Sequence, residues 1–447
     1  MKVYGRKKAD IIKALRRGDI TFSVYGIGKM GLPLAAILAD KGARVIGVGR
    51  NKEIINKLNR GICDIDEPGL AELVRKTVKT GRFSATTDAV DASRQSDVKV
   101  ILVPTLLDEE NNPDLEAVKS VSKSIAAGLQ KGDLVILEST APPGTTENVI
   151  KPILEKSGLR AGRDFGLAHC PERTSSSRAI IDILGAYPKI VGGIDKKSAE
   201  ACEAIYSVVN KKGVIIVKNL KTAEAVKVVE GIYRDVNIAL ANQLAVIFDE
   251  LGVDAYDAFL TANTQPYSNM HMPGTGVGGH CIPVYPYFIT KITNGDTSLL
   301  KLAREVNDSM ANYTVRLAES ALREAGRSIN GAKILVLGIA FRGGVKETRY
   351  SPSFRIVKLL REKGADVHVY DPLFTRQEID KMGFSHSDKF NGIDCIVITS
   401  DHREFSKYNW RKIGKEMRSK VLVDGRNVVD PNKIKSLGFI YKGIGHA

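Results

Sequence analysis

The hexapeptide Gly26-Ile27-Gly28-Lys29-Met30-Gly31 constrains the fold of this chain more than any other feature. It follows a strand-like apolar run at Thr21–Tyr25 and opens a helical pattern. In such a context the first glycine permits a tight turn, the second admits a pyrophosphate close to the backbone, and the third lets the helix pack on the strand. The N-terminus of that helix favours the phosphates. The motif therefore predicts a βαβ unit that binds a dinucleotide.

Strand-like apolar runs alternate with helical patterns along much of the chain, as is typical of parallel α/β architecture. Predicted strands of a first series are Thr21–Tyr25, Arg44–Val48, Val98–Val103, Leu134–Leu137 and Ile190–Val191. Those of a second series are Lys333–Leu337, Asp366–Tyr370, Asp394–Ile398 and Val421–Val423. Between the two series, a long helix from about Thr222 to Leu251 is predicted by apolar residues at a period of three to four, namely Val226, Val229, Ile232, Val236, Leu240, Leu244 and Ile247.

These patterns predict an α/β fold in which two Rossmann-like doubly wound sheet domains are joined by a central helical domain. We place the domains at residues 21–218, 219–325 and 326–447. Residues 1–20 form a basic N-terminal helix or arm. In Lys2–Arg17 the near-helical spacing of Ile11, Ile12, Ala14 and Leu15 favours a short docked helix, with a partner-binding arm as the alternative.

The charge and cysteine content narrow the class of protein. The 447-residue chain carries a formal net charge of +15. Its basic residues are spread along the sequence without an aromatic-basic recognition motif, so we expect small anionic ligands rather than nucleic acid. The five cysteines are dispersed without a C-x-x-C pair, which indicates reduced thiols in a cytoplasm and no metal site. We expect no membrane-spanning segment and no signal peptide.

The end of the second predicted strand leaves the choice of cofactor open. An acid usually binds the adenosine ribose hydroxyls at this point, but here Val48 is followed by Gly49 and Arg50. A guanidinium can receive a 2′-phosphate bidentately, which would favour NADP. Alternatively, Arg50 is solvated and the ribose of NAD is held elsewhere.

A glycine-rich loop, Pro273–Pro283, ends with a candidate nucleophile. Its glycines let the backbone approach a ligand closely, and Cys281 stands near its end. A thiol so placed suggests covalent catalysis. Free cysteines are, however, usually small buried hydrophobes. The loop by itself leaves both interpretations open.

Several further motifs follow the dinucleotide loop in a fixed order. They are Glu67-Pro68-Gly69-Leu70, Val103-Pro104-Thr105, Glu138–Thr146, Cys170-Pro171-Glu172-Arg173, Tyr233–Ala239, Gly278–Pro283, Arg304–Asp308 and Tyr370-Asp371-Pro372. Together they resemble the UDP-glucose/GDP-mannose dehydrogenase family over essentially the whole chain. His280 before the cysteine and the Cys-Pro-Glu-Arg segment are similar to the N-acetylhexosamine branch. The resemblance implies a UDP-N-acetyl-D-mannosamine substrate, with UDP-N-acetylglucosamine or UDP-glucose as alternatives.

The resemblance also implies a reaction. The family oxidises the sugar C6 alcohol to a carboxylate in two hydride transfers, with two molecules of NAD or NADP. Cys281 would hold a thiohemiacetal and then a thioester. Lys227 on the long helix would stabilise oxyanions, Thr140 would position a water, and Glu172 would act in acid/base chemistry.

The remaining site residues are assigned partly by the residue patterns and partly by the resemblance. Cofactor contacts are expected at the dinucleotide loop, Arg50, Pro104, Thr105 and Thr140. Substrate contacts are expected at Glu172, Arg173, Lys227, Arg234, Gly276, Gly278, His280, Arg342 and Arg349. Arginine forks suit the diphosphate of UDP, while surface salt-bridging is the alternative for Arg342 and Arg349. The resemblance implies a homodimer or higher oligomer through the central domain.

Two positions depart from the family pattern. Gly231 stands where an asparagine is usual, and Tyr285 where an aspartate is usual. Glycine within a helix costs roughly 1 kcal/mol relative to alanine, so something should favour it, such as room for an N-acetyl group or a nearby side chain. We hypothesise that the Tyr285 hydroxyl takes over a positioning role. These departures leave a non-catalytic nucleotide-sugar sensor as an alternative, and a structural role for Cys281 would leave a two-electron dehydrogenase.

Overall fold

The computed structural model describes residues 1–175 and 177–446. It divides the chain into two compact units. The first comprises Met1–Glu230 and Tyr287–Thr293, and the second comprises Gly231–Pro286 and Asn294–Ala447.

The first unit contains a doubly wound, eight-stranded sheet. Its strands are β1 Thr21–Tyr25, β2 Arg44–Val48, β3 Phe83–Thr86, β4 Val98–Ile101, β7 Leu134–Leu137, β8 Gly166–His169, β9 Lys189–Gly193 and β10 Val214–Ile216, with the small antiparallel pair β5 Leu106–Leu107 and β6 Pro113–Asp114 apart from it. The sheet order is β10-β9-β8-β7-β4-β1-β2-β3, and β8 and β9 form its antiparallel pair. Strand order therefore reverses between β1 and β4, where open α/β sheets bind ligands.

Helices cover both faces of this sheet. They are α1 Lys8–Arg17, α2 Gly31–Asp40, α3 Lys52–Asn59, α4 Leu70–Lys79, α5 Ala89–Gln95, α6 Glu116–Gly128, α7 Lys151–Leu154, α8 Ala179–Gly185 and α9 Lys196–Val209. Alternate residues of one strand enter opposite cores, as Val24 and Tyr25 do. The N-terminal segment is the docked helix, although it begins at Lys8 rather than Lys2. Its Ile11, Ala14 and Leu15 are buried.

The long helix α10, Leu220–Leu251, confirms the predicted central helix. The division between the units falls within it, at Gly231. Its apolar period does not mark a continuous buried face, because Val229, Leu240 and Ile247 are 58%, 47% and 41% exposed. Small and polar residues are buried instead, among them Ala223, Ala239, Ala241, Asn242 and Ala245.

The second unit contains a six-stranded parallel sheet and the helices around it. After α11 Ala255–Ala262, the short helix α12 Tyr287–Thr290 returns to the first unit, and α13 Ser298–Glu324 leads into the sheet. Its strands are β11 Lys333–Leu337, β12 Asp366–Tyr370, β13 Ser385–His386, β14 Cys395–Ile398, β15 Val421–Asp424 and β16 Ile440–Gly443, in the order β13-β12-β11-β14-β15-β16. The helices are α14 Pro352–Glu362, α15 Arg376–Lys381, α16 Arg403–Ser406, α17 Trp410–Glu416 and α18 Pro431–Ser436.

Both sheets confirm the predicted α/β class with two Rossmann-like domains and a helical stretch between them in the chain. In the second sheet, alternate residues again enter two cores, with Ile334 and Val336 on one face and Leu335 and Leu337 on the other. Some observed strand ends differ slightly from the predicted ones: β4 ends at Ile101 rather than at residue 103. Within residues 1–175 and 177–446, no helix is both long enough and apolar enough to span a membrane.

Candidate active site

Each glycine of the dinucleotide loop occupies a different environment in the first unit. Gly26 has a φ of +102°, and a Cβ there would lie 2.2 Å from the Leu102 carbonyl oxygen. A Cβ on Gly31 would lie 2.0 Å from the carbonyl oxygen of Gly26. Gly28 has no such neighbour within 4 Å, so open space lies beside it. The outer glycines are thus needed for packing, and the middle one leaves room for a phosphate.

The start of α2 offers hydrogen-bond donors beside this space. The helix begins at Gly31, has no acidic residue in its first turn, and receives no side-chain cap from the described residues. Its first N–H groups and its dipole therefore favour an anion. The loop fits the pyrophosphate of a dinucleotide, which when bound supplies a nicotinamide ring that accepts hydride.

The other predicted cofactor residues lie at the same edge of the sheet. Arg50 is exposed just after β2, and Pro104 and Thr105 follow β4. Thr140 follows β7, and its carbonyl oxygen accepts a hydrogen bond from the Thr105 hydroxyl. The carboxyl ends of four neighbouring strands thus place these residues together along one ligand-binding edge.

The segment after β8 joins Glu172 to the dinucleotide loop. Glu172 accepts a hydrogen bond from the backbone N–H of Thr174. The Thr174 hydroxyl in turn donates to Sδ of Met30 at 3.0 Å. Met30 and Glu172 also line one cavity of the first unit, together with Lys189 and Tyr187. The structure therefore places a candidate acid/base residue beside the loop.

Arg173 is already engaged by protein groups. Its Nε donates to Oε1 of Glu230 at 2.7 Å, and its guanidinium lies 4.8 Å from the centre of the Tyr187 ring. A substrate contact of Arg173 therefore stays a prediction, and the visible role of its side chain is to hold the segment after β8 against Glu230 of α10.

Glu224 is a residue of α10 that the sequence analysis missed. It is fully buried, and its Oε1 accepts from the backbone N–H and the hydroxyl of Thr146 at 2.7 and 2.6 Å. Burial raises the pKa of Glu224, against the hydrogen bonds from Thr146, which lower it. Glu224 thereby fixes the loop after Thr140 to the helix that carries Lys227, which is 8% exposed.

In the second unit, the glycine loop before Cys281 is held from three directions. Asn242 of α10 accepts from Gly274 N–H at 2.8 Å. Arg426, after β15, donates to the carbonyl oxygen of Gly276 at 3.2 Å. A Cβ on Gly276 would lie 3.1 Å from the Asn307 carbonyl oxygen of α13. The loop is therefore a fixed backbone, on which Cys281 is half-buried.

A buried polar network supports Asn242. Its Nδ2 donates to Oδ1 of Asn307 at 2.9 Å, and Nδ2 of Asn307 donates to Oδ1 of Asp235 at 2.8 Å. Arg304 completes the network by donating to the same Asp235 oxygen at 2.6 Å. The Tyr233–Ala239 and Arg304–Asp308 motifs are thus partners, and they lead to Gly274.

The predicted substrate arginines of the last domain border the same loop. The backbone N–H of Gly279 donates to the Arg349 carbonyl oxygen at 2.8 Å. His280 lies beside Glu347, with 3.2 Å between Nε2 and Oε2. A Cβ on Gly278 would lie 2.7 Å from Cβ of Phe341, the residue before Arg342. Gly278, His280, Cys281, Arg342 and Arg349 therefore belong to one neighbourhood, with both arginines exposed.

Tyr285 lies one turn after Cys281 and against α10. Its backbone N–H donates to the Cys281 carbonyl oxygen at 3.0 Å. A Cβ on Gly231 would lie 2.4 Å from Cδ2 of Tyr285. Of the two reasons considered for a glycine at 231, the nearby side chain is therefore the one observed.

Arg234 and Asn237 lie next to the loop that precedes the glycine segment. Arg234 is exposed, whereas Lys227 on the same helix is buried. Burial and the charge of Arg234 lower the pKa of His271. Asn237 Nδ2 donates to the Asn269 carbonyl oxygen at 2.9 Å, and its Oδ1 accepts from His271 N–H at 2.8 Å. Asn237 thus supports the loop before the glycine segment.

Comparison with known proteins agrees with these features. The NAD-binding, central and UDP-binding domains of the UDP-glucose/GDP-mannose dehydrogenase family match residues 20–210, 221–309 and 335–431. A UDP-N-acetyl-D-mannosamine dehydrogenase of Pyrococcus horikoshii is 39% identical over 95% of this chain and 98% of that protein. A protein of the same name from Methanococcus maripaludis strain C7 is 37% identical over 95% and 96%.

Solved structures give the same result. The structure of the UDP-D-ManNAc dehydrogenase of Pyrococcus horikoshii superimposes with a TM-score of 0.89 at 37% identity, covering 96% of this chain and 99% of that one. That of an NDP-N-acetyl-D-galactosaminuronic acid dehydrogenase of Methanosarcina mazei Go1 gives 0.84 at 33% identity, covering 98% of each chain. The fold and the site define a nucleotide-sugar dehydrogenase with a nicotinamide cofactor. The chain belongs to the UDP-glucose/GDP-mannose dehydrogenase family.

Proposed function

We propose that this enzyme oxidises C6 of UDP-N-acetyl-D-mannosamine to the carboxylate, with reduction of two NAD(P), through covalent catalysis by Cys281. The observation that carries the proposal is the fixed glycine loop, which holds a half-buried thiol and whose Gly279 N–H donates to the backbone carbonyl oxygen of the exposed Arg349. The names of the relatives from Pyrococcus and Methanococcus support the choice of sugar.

The first oxidation removes a hydride from C6 and a proton from the 6-hydroxyl, which gives an aldehyde. Sγ of Cys281 then bonds to the aldehyde carbon, the S–H bond breaks, and its proton goes to the carbonyl oxygen to give a thiohemiacetal. Loss of a second hydride and a proton gives a thioester. Water adds to its carbonyl carbon, the C–S bond breaks, and the products are the carboxylate, a proton and the free thiol.

In this proposal Lys227 stabilises the oxyanions with its ammonium group, and Thr140 positions the attacking water. Glu172 accepts the proton of that water. Tyr285 takes a positioning role in place of the usual aspartate. If the hydroxyl is needed, Tyr285→Phe slows thioester hydrolysis and leaves the first hydride transfer unchanged in single-turnover measurements. Full rates of both steps in Tyr285→Phe contradict this role.

We further propose that Arg342, Arg349 and Arg234 bind the UDP-sugar, with the diphosphate on the arginines of the last domain. Their guanidinium forks suit phosphate oxygens, and all three are exposed. Gly276, Gly278 and His280 shape the substrate side of the loop.

One experiment tests substrate, cofactor and electron count together. The enzyme is incubated with UDP-sugars of manno, gluco and galacto configuration plus NAD or NADP, and followed at 340 nm with mass analysis of products. We expect two reduced cofactors per sugar and a product with a C6 carboxylate. One cofactor per sugar indicates a two-electron dehydrogenase, and binding without turnover indicates a sensor.

Cys281→Ala tests the nucleophile. We expect carboxylate formation to fall by about 10³-fold or more. Cys63→Ala is the matched control, since Cys63 is also half-buried but lies in the first unit. Equal activity of both variants contradicts covalent catalysis.

We also propose that α10 pairs with a second copy of the chain. Tyr233, Leu240 and Ile247 recur every seven residues and are 47%, 47% and 41% exposed. Such spacing forms one apolar stripe along a helix, as in helix–helix interfaces.

A further inference from the structure

Asp371 and His402 form a buried pair in the second unit, among residues with no role in the proposed reaction. Asp371 directly follows β12, and His402 lies shortly after β14. Their side chains are 0% and 1% exposed, and Nε2 of His402 lies 3.1 Å from Oδ2 of Asp371. A buried pair of this kind at the carboxyl edge of a parallel sheet lies where such sheets bind ligands.

The pair holds the loop that follows β11. Oδ2 of Asp371 accepts from the backbone N–H groups of Ile339 and Ala340 at 2.8 and 3.0 Å. At the far end of the loop, the Gly344 N–H donates to Nδ1 of His402 at 3.3 Å. Both ends of the segment 339–344 are therefore fixed by the same two side chains.

These bonds indicate the tautomer of the His402 ring. A backbone N–H can only donate, so Nδ1 of His402 must be an unprotonated acceptor. The ring proton is then on Nε2, which donates to the Asp371 carboxylate. Burial alone raises the pKa of Asp371, but hydrogen bonds from His402 and the backbone outweigh it and leave the pKa below its usual value.

The segment held in this way carries Phe341 and Arg342. The neighbouring Gly343 N–H donates to Oδ1 of Asp401 at 2.7 Å, and a Cβ on Gly343 would lie 2.2 Å from the Asp401 carbonyl oxygen. Phe341 of the same segment packs against Gly278 of the glycine loop before Cys281. His402 thus fixes the position of Arg342 through the backbone of the segment 339–344.

We propose that His402 is a positioning residue for nucleotide-sugar binding: through Gly344 it fixes the loop that presents Arg342 to the diphosphate. The inference rests on the proposed function, because it takes Arg342 as a diphosphate ligand. His402 touches neither substrate nor cofactor in this role. Its loss raises the Kd for UDP and the KM for the UDP-sugar, and leaves kcat and NADH binding unchanged.

Two substitutions separate the two hydrogen bonds. His402→Asn places a carbonyl oxygen near the Nδ1 position and can still accept from Gly344. His402→Gln places an N–H₂ group near Nε2 and can still donate to Asp371, but offers Gly344 no acceptor. His368→Asn is the matched control, since His368, in the middle of β12, also lies beside an aspartate, Asp366.

The readouts are UDP and NADH titration by calorimetry and steady-state kinetics. We expect a UDP Kd raised about tenfold in His402→Gln, and within about threefold of the wild type in His402→Asn and His368→Asn. Wild-type UDP affinity in His402→Gln, or parallel losses of UDP and NADH affinity, overturns the proposal.

Hydrogen exchange of the wild-type enzyme keeps the idea testable if a variant does not fold. The Gly344 amide should be protected as strongly as the Ile339 amide, and fast exchange at Gly344 overturns the proposal. Arg342→Ala distinguishes a failure of the proposed diphosphate site from a failure of the role of His402. If Arg342→Ala binds UDP normally, the proposed diphosphate site is wrong. If it binds UDP weakly while His402→Gln binds normally, only the role of His402 is wrong.

Discussion

The ring of Tyr285 occupies the space that a side chain at position 231 would need. A Cβ on Gly231 would approach Cδ2, Cγ and Cβ of Tyr285 to 2.4, 3.1 and 3.2 Å. Tyr285 is 5% exposed, so its ring has little room to move away. The two positions at which the sequence departs from the expected pattern are therefore in contact with each other.

Gly231→Ala should destabilise the protein, although alanine normally stabilises a helix by about 1 kcal/mol over glycine. Overpacking against Tyr285 should cost about 1–3 kcal/mol. Urea unfolding measures the change, and Tyr285→Ala provides the control background. In the Tyr285→Ala background, where the ring is absent, the same Gly231→Ala change should stabilise the protein. Stabilisation in both backgrounds would show that the contact is not restrictive.

Asp235→Asn should destabilise the protein by about 3 kcal/mol, because it leaves the buried Arg304 without its main charge partner. Asp308→Asn is the control, since Asp308 also pairs with Arg304 but is 52% exposed and should cost less than about 1 kcal/mol. Chemical denaturation of both variants checks the difference. Equal losses would mean that the buried partner is no more important than the exposed one.

Arg50→Glu should shift cofactor preference toward NAD. The guanidinium follows β2 and is exposed, so it is available to a 2′-phosphate, whereas a carboxylate repels phosphate and accepts from ribose hydroxyls. The measurement is the ratio of kcat/KM for NADP and NAD, which should fall at least about tenfold. Lys29→Glu, on the dinucleotide loop, is the control and should weaken the binding of both cofactors. An unchanged ratio in Arg50→Glu means that the ribose is read elsewhere.

His169 should make the protein sensitive to acid. It is fully buried at the end of β8, and neither ring nitrogen has a hydrogen-bond partner among the described residues. Burial, with a smaller effect of Lys189, lowers the pKa of His169 to about 3. Below about pH 6.5 the unfolded chain binds a proton that the folded chain does not, so stability is lost as the pH falls from about 6.5 toward 3.

The same histidine therefore predicts a loss of roughly 2 kcal/mol between pH 7 and pH 5. His169→Met should remove this part of the pH dependence, which denaturant unfolding at both pH values measures. His386→Met, at a half-buried histidine in the second unit, should keep the wild-type slope. Equal slopes for wild type and His169→Met would falsify the assignment.

Leu240→Asp should weaken association of the chain with a second copy. The matched control is Ile54→Asp, because Ile54 is 49% exposed and Leu240 is 47% exposed, but Ile54 lies on α3. Light scattering after size-exclusion chromatography should show a smaller mass for Leu240→Asp only. A monomeric wild type, or identical masses for all three proteins, contradicts pairing through α10.

Local patterns predicted much of this molecule. The glycine hexapeptide lies between β1 and α2, and the middle glycine faces open space, as its spacing indicates. The predicted ends of the long helix are almost correct: the helix begins at Leu220, two residues before the predicted Thr222. Its apolar period did not reveal which residues are buried, because an exposed apolar stripe has the same spacing as a core-facing one.

The sequence by itself determined nine of the strands, the long helix, the dinucleotide loop and the position of the candidate thiol, since all of these depend on residues close together in the chain. Tertiary structure decided why residue 231 is glycine, which helices support Gly274, and that His402 holds the loop of Arg342. The residues that make these contacts are far apart in sequence: Tyr285 with Gly231, Arg304 with Asp235, and His402 with Gly344. Steric fit and buried hydrogen bonds between such residues exist only once the chain has folded.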